Sequence, residues 1–363
     1  MARSSRNETG ASVPISGRGR LRRILARSAL VLAVALAGAI LLGAIYEQTA
    51  RRAAAGQYPP PGQMVDIGGR RIHLNCTGGG SPVVILEAGA DTSGSPLWEP
   101  IQQQVAQVTR VCSYDRAGIM WSDPGPAPRD GDAIATDLHA ALTAAGVPGP
   151  YVMAGASMGG AYVATFARMY PDDVAGIVFV DASHPDQTAR LVAAAAANDP
   201  AIPVLFRVLA ALDWTGLPRL LLPAERIPEL APETSQAIAA YQPTSLTGAF
   251  AEAAAFEDSL REAGLQRDLG DRPLVVLSRH KPWSAFTDEE RRLSGFTEAQ
   301  FNASEAAWAD LQADEATWST NSTHRTVDGS SHVIQLEHPD AVVAAIRDVV
   351  AQVRGDAPDA LSP

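Results

Sequence analysis

The stretch that most constrains this 363-residue chain is 151–161, Tyr-Val-Met-Ala-Gly-Ala-Ser-Met-Gly-Gly-Ala. Residues suited to a buried strand run straight into Gly155-Ala156-Ser157-Met158-Gly159, and a helical pattern follows over 158–170. A strand, a sharp turn and a helix joined through G-x-S-x-G make a nucleophile elbow. The turn forces Ser157 into a strained backbone conformation, and small residues two positions either side let strand and helix approach closely. Ser157 Oγ would then stand above the sheet edge, with the backbone N–H of Met158 pointing into the same space. A tight glycine turn with a bystander serine is the alternative. The flanking strand and helix favour the nucleophile.

Around this element the chain reads as strands alternating with helices. Short strands are expected at 64–67 and 71–76 about a Gly68-Gly69 turn, then at 82–87, 110–114, 176–180, 273–277 and 323–327. Helical stripes run over 132–145, where Gly146 stops the pattern, and from Val342 to Val353, with Pro339 near the start and Gly355 past the end. Such alternation predicts an α/β fold, a mostly parallel central sheet with helices on both faces. Residues 63–185 and 272–355 form this core, with a tail at 356–363. The interruption at 186–271 reads as an inserted helical lid, with helices expected at 187–198, 201–212 and 246–263. Leu205, Phe206, Leu209, Trp214, Phe250 and Phe256 offer it apolar side chains, mostly for its own packing. No zinc spacing, phosphate loop or dinucleotide fingerprint occurs, so no cofactor and no metal are expected.

Charge separates the N-terminus from the rest. Residues 1–52 carry nine arginines against Glu8 and Glu47, which leaves 20 basic and 38 acidic residues beyond them, a formal charge of −18. That surface argues against nucleic acid as a partner. A basic tail over 1–28 precedes an uncharged apolar run at 29–46. About 18 residues at about 1.5 Å each span about 27 Å, enough for a bilayer core. The expectation is a signal anchor with its arginine-rich side in the cytoplasm and the remaining domain outside. A cleaved signal peptide, leaving a secreted protein, is the competing reading. Residues 47–62, ending in Tyr58-Pro59-Pro60-Pro61-Gly62, read as a stiff tether.

Further motifs carry a family resemblance: Glu87-Ala88-Gly89 after a buried strand, Asp115-Arg116-Ala117-Gly118, Trp121-Ser122-Asp123, the elbow, Val180-Asp181-Ala182-Ser183-His184-Pro185, and Gly329-Ser330-Ser331-His332. Over residues 63–354 the chain resembles an α/β-hydrolase, most closely the lipase- and esterase-like serine hydrolases. Two departures stand out: Ala156 where such members usually carry His, and Met120 in place of a second loop glycine. The resemblance implies that Ser157 is the nucleophile and His332 the base. The other six histidines lie in strands, helices or loops less suited to that role.

The acid stays open between two residues. The loop after strand 273–277 holds no carboxylate until Asp288, whereas Asp181 ends the strand following the elbow and keeps the order Ser157, Asp181, His332. Asp181 is preferred, with Asp288 the alternative. The backbone N–H groups of Ala90 and Met158 would form the oxyanion hole. Glu87 and Asp91 read as structural, and Asp115-Arg116 as a loop-bracing ion pair. The resemblance also brings the strands of Cys76 and Cys112 together. A disulfide follows if the domain faces an oxidising compartment, two free thiols otherwise.

The function expected is hydrolysis of a small-molecule carboxylic ester, moderate in size and apolar in character, by a protein whose other partner is the lipid bilayer. Other serine-dependent acyl or carbon–carbon cleavage on this fold, or a slow-turnover sensor that keeps the triad, are the alternatives. Oligomeric state is not legible.

Overall fold

The computed structural model describes residues 17–195, 204–222 and 226–356. A long helix, α1 (Gly17–Gln57), leads into the strands β1 (Gln63–Asp66), β2 (Arg71–Thr77), β3 (Val83–Glu87), β4 (Val111–Tyr114), β5 (Tyr151–Ala156), β6 (Val174–Val180), β7 (Leu274–His280) and β8 (Ser322–Asp328). Among the described residues these form one sheet in the order β1-β2-β4-β3-β5-β6-β7-β8. The first three neighbours pair antiparallel, and every pair from β4–β3 onward is parallel. β1 turns into β2 through Gly68 and Gly69, both at positive φ, and Asp66 Oδ1 accepts from both amides at 2.8 and 2.9 Å.

β3, β5 and β6 are almost wholly buried, as continuous apolar runs in a parallel sheet should be. Between β3 and β4 lies α2 (Glu99–Val105), and α3 (Gly131–Ala144) and α4 (Met158–Met169) flank β5. The lid holds α5 (Gln187–Ala195), α6 (Val204–Ala211), α7 (Leu217–Leu221) and α8 (Pro232–Ala254), and α9 (Phe256–Ala263) returns the chain to the core. After β7 come α10 (Asp288–Ser294) and α11 (Glu298–Glu315), and after β8 the short α12 (Ile334–Glu337) and α13 (Pro339–Arg354). Residues of α3, α4 and α9 cover one face of the sheet, and those of α2 and α13 cover the other. The α/β architecture expected from the sequence is therefore the one present.

Three details differ from the sequence reading. The tether expected over 47–62 is helical as far as Gln57, because Glu47, Gln48, Arg51, Arg52 and the alanines after them are good helix formers. Pro59 is the first residue that cannot continue the pattern. In the lid, α8 begins well before position 246 and carries Pro243 inside it. The ends of the expected helix at 187–198 and the start of that at 201–212 lie outside the described residues. Finally, α10 and α11 have no counterpart among the expected elements, since their polar sequences show little apolar periodicity. Both open with a Thr capping box, at Thr287 and Thr297.

Cys76 and Cys112 face each other in the β2–β4 register and are joined as a disulfide. The bridge spans 36 residues of sequence, so Cys76→Ser with Cys112→Ser is expected to cost about 3–4 kcal/mol in denaturant unfolding.

Candidate active site

The elbow is built from backbone packed on backbone. Ser157 sits at φ 53° and ψ −128°, between the end of β5 and the start of α4. A methyl on Gly155 would lie 2.4 Å from Gly159 O, and one on Gly159 would lie 2.4 Å from Glu87 O. No side chain fits either position, which is why the small residues occur at this spacing. Positive φ costs a non-glycine residue about 1–3 kcal/mol. The conformation is held by Ser157 N donating to Val180 O at 3.1 Å and by Ser183 N donating to Ser157 O at 2.9 Å.

β6 delivers Asp181 and the turn after β8 delivers His332. Ser331 anchors that turn, its N–H and hydroxyl donating to Glu337 at 2.6 and 3.0 Å. His332 Nε2 lies 2.8 Å from Ser157 Oγ, and Nδ1 lies 2.5 Å from Asp181 Oδ2. With its proton on Nδ1, the imidazole donates to Asp181 and accepts from the serine hydroxyl. Asp181 is fully buried and, like Ser157, has positive φ, at 45°. Its Oδ1 accepts from Trp308 Nε1 at 2.8 Å and from Arg279 N at 3.1 Å, and its Oδ2 from Arg279 Nη1 at 2.7 Å. Burial by itself would raise the Asp181 pKa. The bond from His332 and the charge of Arg279 outweigh it and hold the carboxyl below its ordinary value. Asp288 is elsewhere: it is fully exposed in the first turn of α10 and pairs with Arg291 at 3.3 Å.

Arg279, Trp308 and Glu305 were not singled out in the sequence. Arg279, near the end of β7 and just before the loop where a carboxylate was sought, brings a cation to Asp181 instead. Glu305 balances that cation at 2.7 Å, and the guanidinium lies over the Trp308 ring at 4.7 Å. Both partners come from α11, so no local motif could have announced them. The remaining histidines have other partners: His73 with Asp115, His184 with Asp314, His280 with Asp328, His324 with Ser278, and His139 stacked on Tyr170. His338 stands at the start of α13. Among the described residues no three His, Cys, Asp or Glu side chains gather as a metal site.

The turn after β3 runs beside the serine, where a methyl on Gly89 would lie 3.2 Å from Ser157 Cβ. Ala90 follows in that turn, and Met158 opens α4, where the first amides have no partner within the helix. Ser157 Oγ therefore stands beside the His332 imidazole and close to the turn after β3. A hydroxyl aligned with an imidazole that is itself held by a buried carboxylate can serve as a nucleophile.

Comparison with known proteins agrees with this architecture. The profile of the family described as alpha/beta hydrolase fold matches residues 81–261. The chain has the α/β-hydrolase fold. A thermophilic esterase from Thermogutta terrifontis superposes with a TM-score of 0.52 at 19% identity, covering 78% of this chain and 94% of the esterase. The epoxide hydrolase CorEH superposes with a TM-score of 0.54 at 17% identity, covering 80% and 98%. At such identities the likeness is one of fold. A probable transporter, efuK, of Hormonema carpetanum is 32% identical over 126 residues, 32% of this chain and 18% of that protein. The chain spans between 18% and 50% of the length of the first curated relatives it matches.

The family's Asp115-Arg116 motif behaves differently from the ion pair expected. Asp115 bonds His73 Nδ1 at 2.7 Å and accepts from Ser95 N at 2.7 Å. Arg116 turns the other way and donates to Glu87 and Glu252 at 2.8 Å each. It also donates to Ala88 O at 2.7 Å and Gly89 O at 2.6 Å, clamping the turn beside Ser157 to lid helix α8. Met120, where a loop glycine was missing, still has positive φ (45°), and its N–H is bonded to Ser245 Oγ of α8. Burial pushes Glu87 up to about 7 against the opposing charge of Arg116, and Asp91 up to about 6.

These charges have measurable consequences at three residues. Asp181 has a depressed pKa, so its contribution to stability is present above the ordinary carboxylate pKa and is lost as pH falls through its folded value. Asp181→Asn is therefore expected to flatten the acid-side fall of Tm in a pH series. Glu87 has a raised pKa, so its contribution is fully present below the ordinary value and is lost as pH rises through about 7. Glu87→Gln should flatten that neutral-side decline at little cost. Arg116→Ala, which strands two buried carboxylates, should cost about 3–5 kcal/mol by calorimetry or denaturant titration.

Proposed function

We propose that this chain is a membrane-anchored serine hydrolase that cleaves a carboxylic ester of moderate size and apolar character through an acyl-enzyme. The observation that carries this reading is the continuous line from Ser157 Oγ through His332 to buried Asp181, with contacts of 2.8 and 2.5 Å. Ser157 Oγ attacks the carbonyl carbon while its proton passes to His332 Nε2. Asp181 holds the imidazole in the right tautomer and stabilises the imidazolium. The amides of Ala90 and Met158 receive the oxyanion. Collapse expels the alcohol, which takes the proton back from His332, and a water activated by the same imidazole releases the acid. A serine at the elbow favours this chemistry over epoxide opening, which needs a carboxylate nucleophile, although an epoxide hydrolase shares the fold. The likeness to a thermophilic esterase is consistent with the ester.

The anchor reading rests on the N-terminus. Among the described residues, one helix, Arg20–Gln57, is long and apolar enough to cross a membrane. Arginines crowd its N-terminal side, which favours the cytoplasm for that end. The Cys76–Cys112 bridge fits a domain on the oxidising, outer side.

The test is fluorophosphonate labelling of the full chain in membranes, read by peptide mass mapping. One adduct on Ser157 is expected, absent in Ser157→Ala. Asp181→Asn should slow turnover of a model ester by on the order of 10⁴, and Asp288→Asn should leave it unchanged. A folded protein that takes no adduct overturns the hydrolase reading.

A further inference from the structure

The lid and the apolar helix meet at one level. Gly43 lies three residues, about 4.5 Å, inside the end of the uncharged run at Tyr46. A methyl on Gly43 would lie 2.3 Å from Thr215 O. Gly216, at φ 71°, packs against Tyr46 and the Gly43 carbonyl. One turn further on, Glu47 is buried and accepts from Arg219 at 2.9 and 3.0 Å and from Arg51 at 2.9 Å. Arg51 also reaches Asp213 at 3.3 Å. The short turn Asp213–Thr215 and the start of α7 are thereby fixed beside the last turns of the apolar run.

The side chains around this junction face outward and are apolar. Leu205, Phe206 and Val208 of α6, Trp214, and Leu220 and Leu221 of α7 are all exposed, Trp214 by 50% and Leu220 by 69%. The lid does not need them for its core, because Leu209 and Ala210 are the buried residues of α6. The apolar side chains of α1 leading up to this junction are exposed as well, among them Leu36, Leu41, Leu42 and Ile45. Their charge differs from the rest of the domain. Described lid residues 204–222 carry Arg207, Asp213 and Arg219, and the last two are turned to α1. Among the described residues, 204–222 thus present an apolar face whose remaining charge is Arg207, in a domain that is otherwise acidic. Apolar side chains, a tryptophan and an arginine are what a phospholipid interface accepts.

We propose that the lid face formed by α6, the turn at Trp214 and α7 inserts into the bilayer interface beside α1, so that lid and anchor form one membrane-bound unit. This rests on α1 crossing the membrane and is independent of the chemistry at Ser157.

The full chain is placed at one copy per nanodisc, with phosphatidylcholine and phosphatidylglycerol carrying bromines on the acyl chains. Trp214 fluorescence is taken as the difference between the natural chain and Trp214→Phe. A fluorophore on Leu36→Cys reports α1. Both signals are expected to be quenched, Trp214 by about twofold. Phe206→Glu with Leu220→Glu should restore the Trp214 signal and leave the Leu36 label quenched. A quenched Leu36 label with an unquenched Trp214 overturns the docking face alone, and protection of Trp214 only when several copies share a disc assigns the face to a second copy instead. An unquenched Leu36 label overturns the anchor and the docking face together.

Discussion

The contact on which the site depends is between two stretches of backbone. Gly159, in the first turn of α4, lies against the carbonyl of Glu87 at the end of β3, with no room for a methyl between them. That approach sets the turn after β3 beside Ser157 and holds the serine at positive φ. Side-chain packing could not replace it, because any β-carbon at Gly155 or Gly159 would drive strand and helix apart. The surrounding sheet can be read as the frame that keeps this contact closed: β3, β5 and β6 are neighbours, and each ends at the site.

Two arginines, Arg116 buried and Arg279 partly buried, then stabilise the loops on either side of the elbow. Arg279 reaches Asp181 from β7 and is itself balanced by Glu305 of α11. Arg116 reaches the turn after β3 and is balanced by Glu87 and by Glu252 of α8. Arg116 donates to the backbone carbonyls of Ala88 and Gly89 as well as to carboxylates, so its removal would leave unpaired carbonyls along with an uncompensated charge. The design is costly in desolvation and strong in geometry. It ties the position of two loops near Ser157 to helices that lie far from it in sequence.

The same logic appears where α1 meets the lid. Glu47 is an acidic residue one position past an apolar run, and it is buried because Arg219 of the lid and Arg51 of its own helix satisfy it. α1 continues without a break from the apolar run to this ion pair. The long apolar helix is therefore tied to the lid by ion pairs, where an extended tether would have left the two independent.

Much of this was legible in the chain itself. G-x-S-x-G between a strand pattern and a helix pattern determined the elbow, because the turn's steric demand is local. Alternating strand and helix periods determined the α/β class, and an uncharged run flanked by arginines marked the long apolar helix. The partners of Asp181 were not legible. Arg279 and Trp308 lie 98 and 127 residues away from it, and nothing in a polar helix such as α11 signals which side chain will turn inward. That Asp181 and not Asp288 meets His332 was likewise a matter of tertiary structure, since only the folded sheet brings the end of β6 beside the turn after β8. Arg116 and Glu47 teach the same lesson. A charged residue's local sequence says that it needs a partner, and only the packing of distant elements in a low-dielectric interior decides which one it finds.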